Sequence, residues 1–296
     1  MHKLRVFLEM IKFEHTIFAL PFAYMGLVLG HVDAYGTWPS IALWFWTTMA
    51  MVGARTAAMS LNRVIDRAID ALNPRTKDRP LVSGRISGAE VWLYIVLSFG
   101  LLFLSAYMLN PLAVKLLPIA VFFLVFYSYT KRFTWLSHLI LGVTDALAPL
   151  GGWVAATGRL DAQAAWWLFL AVVFWIAGFD VIYATQDLEF DRRHGLYSIP
   201  ARFGLARSLW IARGFHGLTI VFLLGLWWTM RLGWPFGLGV LAAAVILGYE
   251  HAILSPHDMS RLNLAFFTMN GVLSVVVFVW TLLSVYTLLA GGAGRG

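Results

Sequence analysis

The fold class this sequence predicts is an all-α integral membrane protein with nine transmembrane helices. Three observations predict it. Hydrophobic residues make up 60% of the 296 positions. Charged residues make up only 12%, about half of what a soluble domain of this size carries. The apolar residues also fall in blocks of bilayer-crossing length. Inside lipid a segment satisfies its own backbone only as a helix or within a closed barrel. Blocks this uniformly apolar lack the alternation of barrel strands.

The blocks follow one another in a regular order. The first, 14–31, opens at Glu14 and His15 and lacks a small-residue cleavage site, so it reads as mature sequence rather than a signal peptide. The second, 41–61, runs on into a polar stretch that still looks helical. A long polar linker, 71–89, leads to the third and fourth blocks, 90–109 and 112–130. The fifth and sixth are 137–157 and 164–186, and the sixth again continues as polar helix. The linker 187–208 is the counterpart of 71–89, which hints at a distant internal repeat. Blocks seven to nine are 209–230, 234–250 and 264–289, followed by a glycine-rich tail at 291–296. The whole chain, 1–296, reads as a single transmembrane domain.

Basic residues orient the chain. Seventeen of the 22 lysines and arginines fall in the N-terminus, 62–89, 131–136, 187–213 and 251–263. By the positive-inside rule these segments face the cytoplasm, and the C-terminal tail faces outward. The expected location is the inner (cell) membrane. The net charge of +7 therefore reflects loops facing anionic lipid and not a nucleic-acid partner. With no cysteine, disulfides and thiolate metal sites are excluded. No histidine cluster has metal-ligand spacing, and no glycine-rich phosphate loop is present. Nothing in the chain speaks to its oligomeric state.

The chemistry concentrates where the second and sixth blocks end. The first motif is Asn62, Asp66 and Asp70. Spacing by four puts three oxygen-bearing side chains along one helix face. The second is Asp180, Tyr183, Asp187 and Asp191, whose steps also return to nearly one face. Carboxylates at such spacing repel one another unless a cation compensates. Hard oxygen donors suit magnesium or calcium rather than zinc. Magnesium favours one or two carboxylates plus substrate phosphate oxygens. Two facing clusters would hold magnesium bridged by a diphosphate. Arg67, Arg75, Lys77, Arg79, Lys131, Arg132, Arg192 and Arg193 stand beside them to neutralise phosphate oxygens. Any one such residue could be a solvated helix cap. Two helices that both carry the pattern favour a metal–phosphate site.

The sequence resembles the UbiA superfamily of intramembrane prenyltransferases. Asn62, Asp66 and Asp70 match that family's first acidic motif, and Asp180, Tyr183, Asp187 and Asp191 its second. The segments Arg75–Ser87 and Tyr127–Gly142 are similar to the family's segments after the first motif and after the fourth helix. The resemblance covers nearly the whole chain. It implies nine helices around a central cavity, with the long loops forming a cytoplasmic cap. It implies Asn62, Asp66, Asp187 and Asp191 as magnesium and diphosphate residues, with Asp70 and Asp180 close seconds. Lys131, Arg132 and Arg79 would contact the diphosphate. The implied reaction ionises an allylic prenyl diphosphate and attaches the prenyl group to an aromatic carbon. The implied acceptor is a quinone precursor, 4-hydroxybenzoate first and a dihydroxynaphthoate second.

Further polar residues lie inside the apolar blocks. Glu14, Arg55, Asp145 and Asn270 are costly in lipid unless paired, so each is a functional candidate. Arg55 precedes Asn62 by seven residues and shares its face, and Asp145 would pair with it or contact the acceptor. Packing pairs inside the bundle are an equal reading for these four. A cation- or proton-coupled transporter is the rival class, because transporters also bury charge among helices. Here the acids gather at cytoplasmic helix ends beside basic loops, which favours a phosphate site.

Overall fold

The computed structural model describes residues 2–12 and 16–293. The candidates Glu14 and His15 lie outside the described residues. Every regular element described is helical; among the described residues the only β feature is an isolated bridge between Ser255 and Asp258. The helices are α1 (His2–Met10), α2 (Thr16–Tyr35), α3 (Ile41–Ile65), α4 (Arg67–Leu72), α5 (Gly88–Leu109), α6 (Pro111–Thr130) and α7 (Ser137–Thr157). They continue as α8 (Gln163–Ala184), α9 (Leu188–Arg193), α10 (Ile199–Phe203), α11 (Leu205–Met230), α12 (Trp234–Ala252) and α13 (Asn270–Ala293). Seven of the described helices are long and apolar enough to cross a membrane: α5, α6, α7, α8 with its continuation, α11, α12, and α13 with the turn before it. The other two long helices, α2 and α3, have 20 and 25 residues and pack among the seven.

Two arcs of helices share one wall. In one arc α2, α7, α8, α11, α12 and α13 pack in sequence, and α13 returns to α2. In the other, α3 packs on α5 and α6, and α6 packs on α7. The α2–α7 contact is backbone against backbone. A Cβ placed on Gly26 would lie 1.9 Å from the Pro149 carbonyl oxygen, and one on Gly152 would lie 2.1 Å from that of Ala23. Lipid offers no hydrophobic drive between helices, so small residues that admit close approach hold such contacts.

Local signals set the helix ends. Ser87 and Glu90 form a capping box at the start of α5, with Glu90 Oε2 accepting from the Ser87 backbone at 2.9 Å. Asn110 caps α6 by accepting from Ala113 N–H at 2.9 Å. The short α1 and the turn after it lay Val6, Phe7, Met10 and Ile11 over Leu61, Leu81, Ile86, Val91 and Ile95. Ion pairs Lys3–Glu90 (2.6 Å) and Arg85–Glu9 (2.7 Å) flank that contact.

Sequence spacing predicts that the second and sixth blocks continue as helix through their acidic motifs. The structure corrects this in part. The third helix stops at Ile65, Asp66 takes φ −90° and ψ 0°, and α4 begins at Arg67. The eighth helix stops at Ala184, a 3-10 turn covers Thr185–Asp187, Asp187 takes φ −98° and ψ 5°, and α9 follows. Both aspartates sit in the sparsely populated bridge region of backbone space, common for active-site residues. The ninth block also differs, because Leu264–Met269 forms a wider π-helical turn before α13.

Candidate active site at the mouth of an apolar cavity

A cavity of about 770 Å³ lies between the two arcs. Its walls carry residues from both ends of the same helices, such as Ala113 and Thr130 of α6, so it runs the length of the bundle. Away from the mouth it is lined by Leu102, Ala106, Leu117, Ala120, Phe123 and Leu147, among others. Its mouth carries Asn62, Asp66, Asp70, Arg79, Lys131, Tyr183, Asp187 and Asp191, and Asp180 lies deeper on the same wall. Arg55 and Asp145 line it further in. The two acidic motifs, more than a hundred residues apart in sequence, thus open into one space.

Each carboxylate of the two motifs has a cation or a donor. Buried Asp66 accepts from Lys131 Nζ at 2.7 Å and Arg132 Nη2 at 2.9 Å, one on each oxygen. Arg132 also donates to the Ile65 carbonyl at 2.9 Å, which fixes its approach to the helix break. Asp70 accepts from Arg79 Nη1 at 2.6 Å. Asp187 takes both Arg75 Nε, at 2.9 Å, and Arg75 Nη2 in a forked pair. Arg75 Nη1 also donates to the Tyr183 hydroxyl at 3.0 Å. Burial disfavours the charge on Arg75, but the bonds to Asp187 outweigh it and raise its pKa. Asp191 accepts from Ser198 at 2.8 Å, and Asp180 pairs with His138 at 2.6 Å.

The two motifs are tied across the mouth. Asn73 Nδ2 donates to Asp187 Oδ1 at 2.9 Å, so the segment after α4 reaches the second motif. Tyr183 stacks on Phe266 from the π-helical turn, with ring centroids 4.1 Å apart. Asn62 donates to Asp66 at 3.0 Å and Ser128 at 3.3 Å, while its amide oxygen accepts from Arg63 at 3.1 Å.

Several expected residues are placed differently. Lys77, Arg192 and Arg193 are exposed and, like Arg132, are not among the residues that line the cavity. Arg67 is exposed and does not line the cavity. One residue beyond Asp66, it is turned about 100° away on a helical path. Asn270 is buried outside the cavity and accepts from Trp175 Nε1 at 2.6 Å while donating to Glu250 at 3.3 Å. Sequence reading missed Asn73, Thr76, Ser128, His138 and Ser198, all of which line the cavity. Asn73, three residues beyond Asp70, falls within one helical turn of the first motif and is the one with a usable signal.

The donors suit a hard cation. Among the described residues no three His, Asp or Glu side chains cluster closely enough to hold a metal alone. The carboxylate and amide oxygens at the mouth suit magnesium, which takes its remaining ligands from phosphate and water, rather than the Cys and His set of a structural zinc site.

Known proteins resemble this chain over nearly its full length. A model of the UbiA prenyltransferase family matches residues 19–273. A 4-hydroxybenzoate octaprenyltransferase of Shewanella sediminis (strain HAW-EB3) is 29% identical over 271 residues, 90% of this chain and 93% of the relative. The apo structure of a UbiA homolog from Aeropyrum pernix K1 superposes with a TM-score of 0.82 at 32% identity, covering 91% of this chain and 98% of that one. A UbiA homolog from Archaeoglobus fulgidus bound to GPP and Mg2+ shares the fold, with a TM-score of 0.72 at 20% identity over 95% of this chain and 99% of that one.

Proposed function

The chain belongs to the UbiA prenyltransferase family, and from that premise we propose that it transfers a prenyl group from an allylic prenyl diphosphate to an aromatic quinone precursor. The first acceptor is 4-hydroxybenzoate, the substrate named for its Shewanella relative, and a dihydroxynaphthoate is the second. The observation that carries this reading is the pair of acid-bearing helix breaks at Asp66 and Asp187, opening into the mouth of one long apolar cavity. Family membership and seven apolar helices make the chain a multi-pass membrane protein. On our reading α2 and α3 also cross, giving nine spans within one domain, and 71–89 and 187–208 cap a cytoplasmic mouth. The excess of Lys and Arg on that side supports an inner-membrane protein with the N-terminus inside.

Asn62, Asp66, Asp187 and Asp191 would hold magnesium, with Asp70 beside them. Bound there, the metal would draw charge from the diphosphate and ease departure of the leaving group. The chain's own cations do comparable work. Lys131, Arg132, Arg79 and Arg75 stand ready to exchange carboxylate partners for phosphate oxygens. Those carboxylates keep the cations oriented before substrate arrives, so little reorganisation is needed at reaction. The apolar interior excludes water that would trap an allylic cation. Aromatic faces such as Phe18, Tyr183 and Phe266 line it and favour positive charge nearby. Arg55 and Asp145 lie deeper than the diphosphate residues, where an acceptor's polar groups would be met.

A cation- or proton-coupled transporter needs no diphosphate, and the cations fixed on Asp66, Asp70 and Asp187 favour the transferase. The deciding experiment supplies purified protein with a labelled prenyl diphosphate and magnesium. One arm holds 4-hydroxybenzoate and the other 1,4-dihydroxy-6-naphthoate. Prenylated product in either arm supports the reading and names the acceptor. No product in either arm, with no magnesium-dependent diphosphate binding, would turn the assignment towards transport.

A further inference from the structure

The carboxylate of Asp180 is the one member of the two motifs whose hydrogen bond comes from a histidine. His138, near the start of α7, is buried and lines the cavity. Its Nδ1 lies 2.6 Å from Asp180 Oδ2. On its far side Nε2 lies 3.2 Å from the backbone N–H of Ile199, the first residue of α10. A backbone amide can only donate, so Nε2 must accept, and it carries no proton. The proton therefore sits on Nδ1 and is donated to Asp180. Both ring nitrogens are engaged, so His138 is free neither to bind a metal nor to act as a base.

Three consecutive residues secure this arrangement from the loop side. Tyr197 N–H donates to the Lys131 carbonyl at 2.7 Å. Ser198 Oγ donates to Asp191 at 2.8 Å and accepts from Ala201 N–H at 3.2 Å. Ile199 N–H then meets His138. The loop before α10 is thereby pinned to the basic pair, to the second motif and to the imidazole at once. This imidazole is oriented from behind and aimed at a carboxylate on the cavity wall, the second-layer logic by which ligands and catalytic groups are held in a fixed tautomer.

We propose that His138 is a positioning residue that holds the Asp180 carboxylate towards the aromatic acceptor. The proposal rests on the transferase reading for what occupies the cavity. Asp180 precedes Asp187 by seven residues, about 10 Å along a helix, so it lies inward of the diphosphate residues at the mouth. With Oδ2 held by His138, its other oxygen is left to meet a polar group at the level where acceptor and allylic carbon come together. His138 affects that group through Asp180 and touches neither substrate itself.

Two substitutions separate presenting Asp180 from tethering the loop. His138→Asn keeps an amide N–H near the Nδ1 position and drops the Ile199 contact. His138→Gln reaches the Nε2 position, keeps an acceptor for Ile199 and drops the donor to Asp180. We expect His138→Gln to lower kcat/KM for the acceptor at saturating donor by about tenfold or more, the size of one charge-assisted hydrogen bond. The donor KM should move less than threefold. His138→Asn should retain at least a third of the wild-type value. The reverse order, equal losses, or an equal rise in donor KM would overturn the proposal. A second measurement needs neither a variant nor activity. Nitrogen NMR of the wild-type protein labelled at its 8 histidines should read His138 as protonated at Nδ1 and bare at Nε2. A proton on Nε2 would overturn the geometry. A wild type that transfers no prenyl group would fail the transferase reading and with it the acceptor role, while the NMR result would still decide the histidine–carboxylate contact.

Discussion

Asp66 and Asp187 occupy the same backbone conformation at equivalent places in the chain. Asp66 follows the last residue of α3 and Asp187 closes the 3-10 turn after α8; each lies near φ −90° and ψ 0°, and each immediately precedes a six-residue helix. A continuous helix would carry the acids past the cavity along one straight face. The break lets the following turn fold over the mouth. Asp66 there meets Lys131 and Arg132, and Asp187 meets Arg75 and Asn73.

This equivalence predicts matched losses. Asp66→Asn and Asp187→Asn should each lower kcat by about a hundredfold or more, the scale of removing a preorganised electrostatic stabiliser. Steady-state assays with either acceptor check it. Melting curves should show both variants folded, because each amide keeps the shape and one acceptor oxygen of the carboxylate.

Metal dependence should follow the same residues. EDTA should abolish transfer, and added magnesium should restore it. Zinc should restore little, because the mouth offers oxygen donors and its imidazole is committed. Initial rates against free metal concentration give the comparison.

Arg75 is held by a fork to Asp187 and a third bond to Tyr183. A lysine keeps the charge and loses the fork. Arg75→Lys should therefore raise the donor KM by about tenfold, close to one charge-assisted hydrogen bond. The acceptor KM should stay within about twofold, since Arg75 lies at the mouth.

The α2–α7 contact gives a stability prediction. Gly26→Val and Gly152→Val must push two backbones apart, and should each destabilise the protein by about 1–3 kcal/mol or more. Gly100→Ala is the control, because nothing lies within 4 Å of the place its methyl group would take and the helix gains propensity. Thermal melting in detergent reads all three.

Glu9 links α1 to the segment before α5. The hydrogen bond from Arg85 holds the Glu9 carboxyl below its ordinary range. A lowered folded-state value means that the contribution is present above the unfolded carboxyl's value, near 4.3, and is lost as pH falls through the folded one. Hydrogen exchange in α1 should accelerate over that acidic window in the wild type. In Glu9→Gln it should be faster throughout and lack that step.

Much of the fold was legible because bilayer thickness imposes a length on apolar segments. The fifth block, 137–157, coincides with α7. The acidic motifs were legible because a four-residue spacing keeps side chains on one face. What spacing could not reveal is tertiary. The helix breaks at Asp66 and Asp187 depend on partners elsewhere in the chain, and Asn73 meets Asp187 across 114 positions. His138 carried no signal because a lone histidine in an apolar block has no partner until α7 and α8 pack. The exposure of Arg67 was within reach of the helical period alone, since its neighbour Asp66 faces the cavity.

The central claim is that the two motifs together bind a magnesium diphosphate. The most direct measurement is the affinity of a non-ionising prenyl thiolodiphosphate, titrated into purified protein with and without magnesium. We expect magnesium to tighten binding at least tenfold in the wild type and to have little effect in Asp66→Asn or Asp187→Asn. Equal affinity with and without magnesium in the wild type, or a magnesium effect that survives both substitutions, would contradict it.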